Sequence, residues 1–326
     1  MEIGARPPLP VDGFKARHLI GVDDLSRDDV NYLLDLATHY ARFLEQGRRP
    51  PQCLAGKTQI NLFFEDSTRT NLSFELAGKK LGADVINVPV AASSVNKSEG
   101  LIDTAQTLAA MGAHAMIMRH GEAGIHNALT SQLPCPVINA GDGAREHPTQ
   151  ALLDAATLKS VYGSIEGRKI AICGDIKHSR VAGSDARLFT RLGAKVCFVG
   201  PKDLMPDESD MAAIPRIHDL PNGLEGADVV MPLRMQFERM ENDATRKSAV
   251  GAYFAEFGIS HQTLRHARPD AFVMHPGPMN RGVEIDGALA DDPNRSLILR
   301  QVFYGVATRM ACLDALISAR AEGDTP

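Results

Sequence analysis

The stretch Phe63-Phe64-Glu65-Asp66-Ser67-Thr68-Arg69-Thr70-Asn71-Leu72-Ser73-Phe74-Glu75 decides how the chain is read. Gln59-Ile60-Asn61-Leu62-Phe63-Phe64 leads into it as a short apolar run, which predicts a buried strand. Behind it, Leu72, Leu76, Lys79 and Lys80 stand at helical spacing with few breakers. Residues 67–70 therefore fall on the turn from a strand into a helix. Unbonded backbone N–H groups gather at a helix N-terminus, and the helix dipole favours an anion there. Three hydroxyls (Ser67, Thr68, Thr70) and the Arg69 guanidinium are set among those donors. A phosphate needs that combination of positive charge, a bidentate fork and several short donors. Ser and Thr are also ordinary N-caps, which is the competing reading. A cap uses one hydroxyl and has no need of an Arg between two Thr, so an anion site is the better account.

Working outward, apolar runs and helical patterns alternate. Strands are predicted at about residues 60–64, 85–88, 115–118 and 137–139, with helices at about 70–81, 101–111 and 123–132. Before them, Ser26-Arg27-Asp28-Asp29 caps a helix reaching about residue 45, with Val30, Leu33, Leu34 and Ala37 on one face. A long helix at about 148–162 opens a second set, with strands at 169–173, 195–199, 228–231 and 271–274 and a helix at 181–192. A long final helix is predicted at about 296–319. Such alternation means βαβ units. The expected fold is α/β, with two doubly wound parallel-sheet domains joined by long helices. The expected boundaries are residues 1–148 plus about 305–326 for the first domain and about 149–304 for the second. Residues 234–258 are polar and charged with scattered aromatics, and are expected to form a mobile lid rather than a strand.

Composition bounds the function. A chain of 326 residues with 44% hydrophobic and 23% charged residues fits a soluble globular protein of two domains. A formal charge of −5 argues against a nucleic-acid binder. No apolar run is long enough to span a bilayer, and the N-terminus has no secretory pattern and reads as a loose tail. The five cysteines Cys53, Cys135, Cys173, Cys197 and Cys312 are odd in number and match no zinc spacing, so no metal site is expected. Cys173 and Cys197 lie in apolar runs and read as small buried hydrophobes. A reduced cytoplasm fits this cysteine usage.

In open α/β sheets, ligands bind beyond the carboxyl ends of the strands. The polar blocks of this chain fall there. Ser67 to Thr70 follow the first strand, Ser93, Ser94 and Lys97 the second, Arg119 and His120 the third, and His147 to Gln150 the fourth. In the second half, Arg180 follows the first strand, Arg234 and Gln236 follow Met231, and His275-Pro276-Gly277-Pro278 follow the last strand. Each has a plainer reading. Arg119, Arg180 and Arg234 could be surface charges, Lys97 an exposed loop residue, His147 a helix cap and Gly277-Pro278 a turn. So many basic and hydroxyl groups, each after a strand end, exceed what a solvated rim requires.

Three blocks in one order, Ser67-Thr68-Arg69-Thr70 with Ser73-Phe74-Glu75, His147-Pro148-Thr149-Gln150 and His275-Pro276-Gly277-Pro278, resemble the signatures of the transcarbamoylase family. The resemblance runs from about residue 19 to about residue 316. It implies an active site in the cleft between two domains, with no cofactor. It implies that Ser67, Thr68, Arg69, Thr70 and Arg119 bind the phosphate of carbamoyl phosphate, and that Thr70, Arg119 and His147 face its carbonyl oxygen. Gln150 and the backbone of Gly277, beside Pro278, would hold the carbamoyl amino group. Ser93 and Lys97 would come from a neighbouring subunit of a homotrimer with shared active sites, Lys97 serving both substrates. Arg180, Arg234 and Gln236 would bind the two carboxylates of L-aspartate. Catalysis would rest on Arg69, Thr70, Arg119, His147 and Lys97.

The implied reaction gives N-carbamoyl-L-aspartate and phosphate in pyrimidine biosynthesis. Two arginines match two carboxylates, whereas Arg234 would repel the side-chain cation of ornithine. The ornithine branch also carries Ser-Met-Gly and His-Cys-Leu-Pro blocks that this chain lacks. Some relatives have Leu where Gly277 stands. The segment Met279-Asn280-Arg281-Gly282-Val283-Glu284-Ile285 resembles branches without a zinc-bearing regulatory chain. A free trimer and a complex with dihydroorotase or a related chain both remain open. Two rival readings are a nucleotide-binding module and a silent scaffold subunit. The first rests on Lys169-Ile170-Ala171-Ile172-Cys173-Gly174-Asp175, which lacks the full glycine fingerprint. The second is disfavoured because every family position is filled.

Overall fold

A computed structural model describes residues 3–88, 100–207, 211–235 and 243–321. The first unit comprises residues 1–161 and 303–326, the second residues 162–302. The first contains α1 (Arg27–Glu45), β1 (Thr58–Phe63), α2 (Thr68–Lys80), β2 (Asp84–Val88), α3 (Leu101–Ala110), β3 (Ala115–His120), α4 (Ile125–Thr130), β4 (Val137–Asp142) and α5 (Pro148–Tyr162). The second contains β5 (Lys169–Cys173), α6 (Arg180–Arg191), β6 (Lys195–Val199), β7 (Arg216–Ile217), α7 (Leu220–Leu224), β8 (Val229–Pro232), α8 (Asp243–Phe257), β9 (Phe272–Val273) and α9 (Gly287–Ala290). The last helix, α10 (Ile298–Ala321), starts in the second unit and belongs to the first from Phe303 onward.

Both sheets are parallel. Their strand orders are β2-β1-β3-β4 and β7-β6-β5-β8-β9. The α/β class and two-sheet architecture expected from the sequence are present. The division, however, falls after α5 rather than before it. This helix is buried from Pro148 to Leu158, with no solvent face to mark it as a linker, and it belongs to the first unit. Of the stretch 234–258, expected to form a mobile lid rather than a strand, residues 243–257 form a helix and 236–242 lie outside the described residues. Tyr253 and Phe257, four apart, sink into the apolar cluster of the second unit with Ala171, Val230 and Ile285. The two-residue strands β7 and β9 add an edge on each side of the second sheet. Among the described residues, no helix is long and apolar enough to cross a membrane.

Local chemistry explains the element ends. Ser26 and Asp29 form a reciprocal capping box on α1, with Asp29 N donating to Ser26 Oγ at 3.0 Å and Ser26 N to Asp29 Oδ2 at 3.1 Å. The N-terminal segment is tied down rather than loose. Arg6 Nη2 donates to Tyr32 Oη at 3.1 Å and lies 3.1 Å from the buried carboxylate of Asp314 in α10. Tyr40 Oη donates to the same carboxylate at 2.7 Å. Leu19 then pairs with Ile138 beside β4.

The packing of α2 on its sheet sets the position of residues 67–70. Phe74 is fully buried on the inner face of α2, under the Arg309 guanidinium, whose carbon is 5.0 Å from the ring centre. Gln59 Nε2 on β1 donates to Asn61 Oδ1 at 2.8 Å and to the Phe74 carbonyl at 3.0 Å, stitching strand to helix. Gly78 makes the close approach possible. A Cβ there would stand 2.1 Å from Gln59 Oε1 and 2.7 Å from Val85 Cγ2. Gly78→Ala should therefore destabilise the protein by about 1–3 kcal/mol through overpacking, although Ala favours a helix by about 1 kcal/mol. Urea denaturation checks the sign; a gain in stability would refute this account of the packing.

Candidate active site

In the first unit, the described residues picked out by the sequence stand at or past the carboxyl ends of adjacent strands, Arg119 falling within β3 itself. β1 runs out at Phe63, and Phe64 N donates to the Arg119 carbonyl at 2.9 Å, which sets the β1 and β3 ends side by side. Ser67 then occupies the N-cap position of α2, yet its side chain makes no capping bond. The simple capping reading of Ser67 is therefore not what its hydroxyl does. Thr68 and Arg69 are exposed in the first turn, while Thr70 is buried and its carbonyl accepts from Ser73 Oγ at 2.9 Å.

Arg119 lies at the end of β3 with its guanidinium held from two sides. Its Nη1 donates to the Ala140 carbonyl at 3.2 Å, and its Nε is 3.2 Å from Glu65 Oε2. Glu65 stands inside the decisive stretch, but no local pattern signals this pairing.

β4 delivers the third group. His147 is buried, and its carbonyl accepts from Gln150 N at 3.0 Å and Ala151 N at 3.3 Å. It thus opens α5 through its main chain, with Pro148 at the first helical position. Gln150, one turn in, is also buried. Its Nε2 donates to Asp154 Oδ1 at 3.1 Å and Oδ2 at 3.0 Å. Ser93 and Lys97, after β2, lie outside the described residues.

The second unit shows the same arrangement along β5, β8 and β9. Arg180 is the first residue of α6, whose N-cap Ser179 accepts from Ala182 N. Arg234 is exposed just past β8. Gln236 lies outside the described residues. Gly277 has φ +68°, a left-handed conformation natural to glycine, and its bond to Pro278 is cis. Gly277 N donates to His275 Nδ1 at 2.8 Å, so that nitrogen carries no proton. The proton is on Nε2, which faces Glu284 Oε1 at 3.1 Å. Glu284 also accepts from Asn280 N and from Met235 N. A buried carboxylate thereby ties the Gly277 turn to the backbone beside Arg234. Sequence reasoning missed Glu284, whose only signal is its place nine residues after His275.

The strand-turn-helix at Lys169–Cys173 does not form a tight phosphate-binding turn. Gly174 turns at φ +115°, but five further residues pass before α6 begins at Arg180. Cys173 and Cys197 are buried, and burial pushes both thiols up, as expected of inert hydrophobes.

Two parallel sheets with cations and hydroxyls past their strand ends define a two-domain α/β protein suited to small anionic ligands. Residues 17–160 match the aspartate/ornithine carbamoyltransferase carbamoyl-P binding domain, and residues 166–316 match the Asp/Orn binding domain of the same family. The chain belongs to the aspartate/ornithine carbamoyltransferase family. It is 52% identical over 307 residues to the aspartate carbamoyltransferase catalytic subunit of Granulibacter bethesdensis, covering 94% of this chain and 96% of that one. It is 54% identical over 303 residues to that of Parvibaculum lavamentivorans, covering 93% and 92%. Aspartate transcarbamoylase from Trypanosoma cruzi, solved with aspartate and phosphate, superposes with a TM-score of 0.83 at 33% identity, covering 96% of this chain and 98% of that one. The same enzyme solved with N-(phosphonacetyl)-L-aspartic acid gives 0.81 at 34% identity over 96% and 98%.

One buried pair supports the β3–β4 edge. His126 Nε2 donates to the Met118 carbonyl at 3.0 Å, and its Nδ1 lies 3.4 Å from Asp142 Oδ1. The same carboxylate accepts from Gly124 N at 2.8 Å. Burial pushes the Asp142 carboxyl up, but the His126 ring and the Gly124 N–H outweigh it and hold the carboxyl below its ordinary value. Its contribution to stability is therefore full above the unfolded pKa of about 3.9 and is lost as pH falls through the lower folded value. Asp142→Asn should be less stable than the parent at neutral pH, with a smaller loss between pH 4 and 2. Urea midpoints across that range test this; parallel acid limbs would contradict it.

Proposed function

We propose that this chain transfers the carbamoyl group of carbamoyl phosphate to the amine of L-aspartate, giving N-carbamoyl-L-aspartate and phosphate for pyrimidine synthesis. The observation that carries this reading is the row formed by the first turn of α2, Arg119 and the start of α5, at or past the ends of β1, β3 and β4. The first unit takes carbamoyl phosphate. Ser67, Thr68, Arg69 and Thr70 receive its phosphate together with Arg119, and the uncapped N-terminus of α2 adds backbone donors. Glu65 keeps Arg119 in place before the anion arrives.

A deprotonated amine is already a nucleophile, so no Ser or Cys attack is needed. It adds to the carbonyl carbon, and the C=O oxygen becomes an oxyanion. Thr70, Arg119 and His147 donate to that oxygen, a type of preorganised contact worth ~3 kcal/mol each. The C–O bond to phosphate then breaks, and the leaving phosphate takes the amine proton. Gln150 and the Gly277 carbonyl receive the carbamoyl amino group, and Pro278 shapes that turn. The second unit takes aspartate, with Arg180, Arg234 and Gln236 on its carboxylates. Holding both substrates together supplies the rest of the acceleration.

Ser93 and Lys97 complete the site from a neighbouring chain of a homotrimer. The loop 91–98 is built of small residues that offer little to pack on its own domain, and a Lys stem can reach a neighbour's phosphate site. A reduced cytoplasm is the proposed compartment, supported by five free cysteines. The segment 279–285 favours a trimer on its own or with dihydroorotase or a relative over one with a zinc-bearing chain.

Arg69→Ala should lower carbamoylation of aspartate by at least about a hundredfold with the fold intact. In a colorimetric assay the parent should use aspartate and not ornithine. Turnover with ornithine, or near-normal turnover of the variant, would overturn the reading. The shared site has its own test. Lys97→Ala and Arg234→Ala should each be nearly inactive. When the two are denatured, mixed equally and refolded, roughly a quarter of the sites should regain both native residues if neighbouring chains supply them. Confirmed trimers with no recovered activity would place each site within one chain.

A further inference from the structure

The Asp154 carboxylate has no part in the chemistry described so far, yet it is fully buried in the middle of α5, four residues after Gln150. A buried carboxylate is expensive, and an apolar side chain would fill the same place at lower cost. Both of its oxygens receive the Gln150 amide nitrogen, at 3.1 and 3.0 Å. The fully buried Arg309 is close enough for Asp154 to stabilise its charge.

The chemistry of the pair is directional. An ionised carboxylate only accepts hydrogen bonds, whereas a glutamine amide has a donating end and an accepting end. Facing Asp154, only the NH2 end of Gln150 is tolerated, because the reverse orientation would set Oε1 against two carboxylate oxygens. Gln150 Oε1 accepts from no other described residue and remains available as an acceptor. An Asn at position 154 would not impose this, since its own amide can turn to suit either orientation.

We infer that Asp154 is a positioning residue that locks the Gln150 amide with its oxygen toward the substrate, so that the site selects an acyl phosphate bearing an NH2 group over one bearing a methyl. The inference rests on the reading of Gln150 as the partner of the carbamoyl amino group. A locked acceptor rewards two N–H donors and is left unsatisfied by CH3, and a site built to hydrogen-bond a group discriminates strongly against the analogue lacking it. Rotation of the amide would instead present donor to donor.

The test compares carbamoyl phosphate with acetyl phosphate, which share the phosphate and carbonyl and differ in NH2 against CH3. Binding of each to the intact enzyme is measured by calorimetry, with inorganic phosphate as a reference for the anion site. The readout is the ratio of the two acyl phosphate affinities. Asp154→Asn should lower that ratio about tenfold while leaving inorganic phosphate binding unchanged. Gln150→Ala should lower it similarly, and the double variant Gln150→Ala with Asp154→Asn should lose nothing more.

A polarity exchange covers the case in which Asp154→Asn folds poorly. In Gln150→Glu with Asp154→Asn, the new amide donates to the new carboxylate, whose second oxygen remains an acceptor toward the substrate. Because both ligands carry the same phosphate charge, the ratio should return toward that of the parent. Gln150→Glu alone, which sets two carboxylates together, should not restore it. If Gln150→Ala lowers the ratio but Asp154→Asn weakens both acyl phosphates equally, Asp154 is merely structural and the inference is overturned. If Gln150→Ala leaves the ratio unchanged, the reading of Gln150 fails and the inference goes with it.

Discussion

Parallel strand pairing is the constraint on which the rest of the structure depends. Within each sheet all strands run the same way, so each sheet has its own edge where the carboxyl ends open. Parallel sheets covered by helices bury both faces of their strands, and the strand interiors become apolar. β3, β4, β5 and β8 are almost wholly buried and have little room for reactive groups. Chemistry is displaced to the turns beyond the strands, where helices begin and unbonded N–H groups point outward. The polar blocks of this chain sit there because the strands between them can hold little else.

A second device recurs in both units. A buried carboxylate fixes which end of an ambivalent side chain faces outward. Glu284 faces the protonated nitrogen of His275, leaving Nδ1 to hold the Gly277 turn. Asp154 faces the nitrogen of the Gln150 amide. Glutamine and histidine can each donate or accept, and neither commits to a role without such a partner. Buried charges of this kind add little net stability. Their effect is to make one hydrogen-bonding pattern the only comfortable one.

Legibility in the sequence followed periodicity. The four strands of the first sheet and the helices between them were readable because apolar runs of four to six residues alternate with helical patterns. The residues proposed for the site stand out because short polar blocks interrupt that alternation at strand ends. What escaped lacks a local signal. β7 and β9 are two residues long and carry no pattern of their own. The helical form of α8 was not readable because its apolar contacts narrow to a few residues such as Tyr253 and Phe257. α5 is buried nearly all round, so neither its domain nor the role of Asp154 could be read from amphipathicity. Arg6 looked like part of a tail because its partner Asp314 is over three hundred residues away.

That last pairing bears on how the protein is made. The first unit is discontinuous: Arg6 and Tyr40 close on Asp314, and Phe74 lies beneath Arg309, both partners belonging to the final helix. Domains of a nascent chain usually finish folding in the order in which they emerge. Here the first unit lacks its closing helix until residues 303–321 have been made, by which point every residue of the second unit has been synthesised. For most of translation, the buried polar groups that meet α10 stand open. A chain that stopped before Phe303 would therefore leave open the unit begun first, not the one just completed.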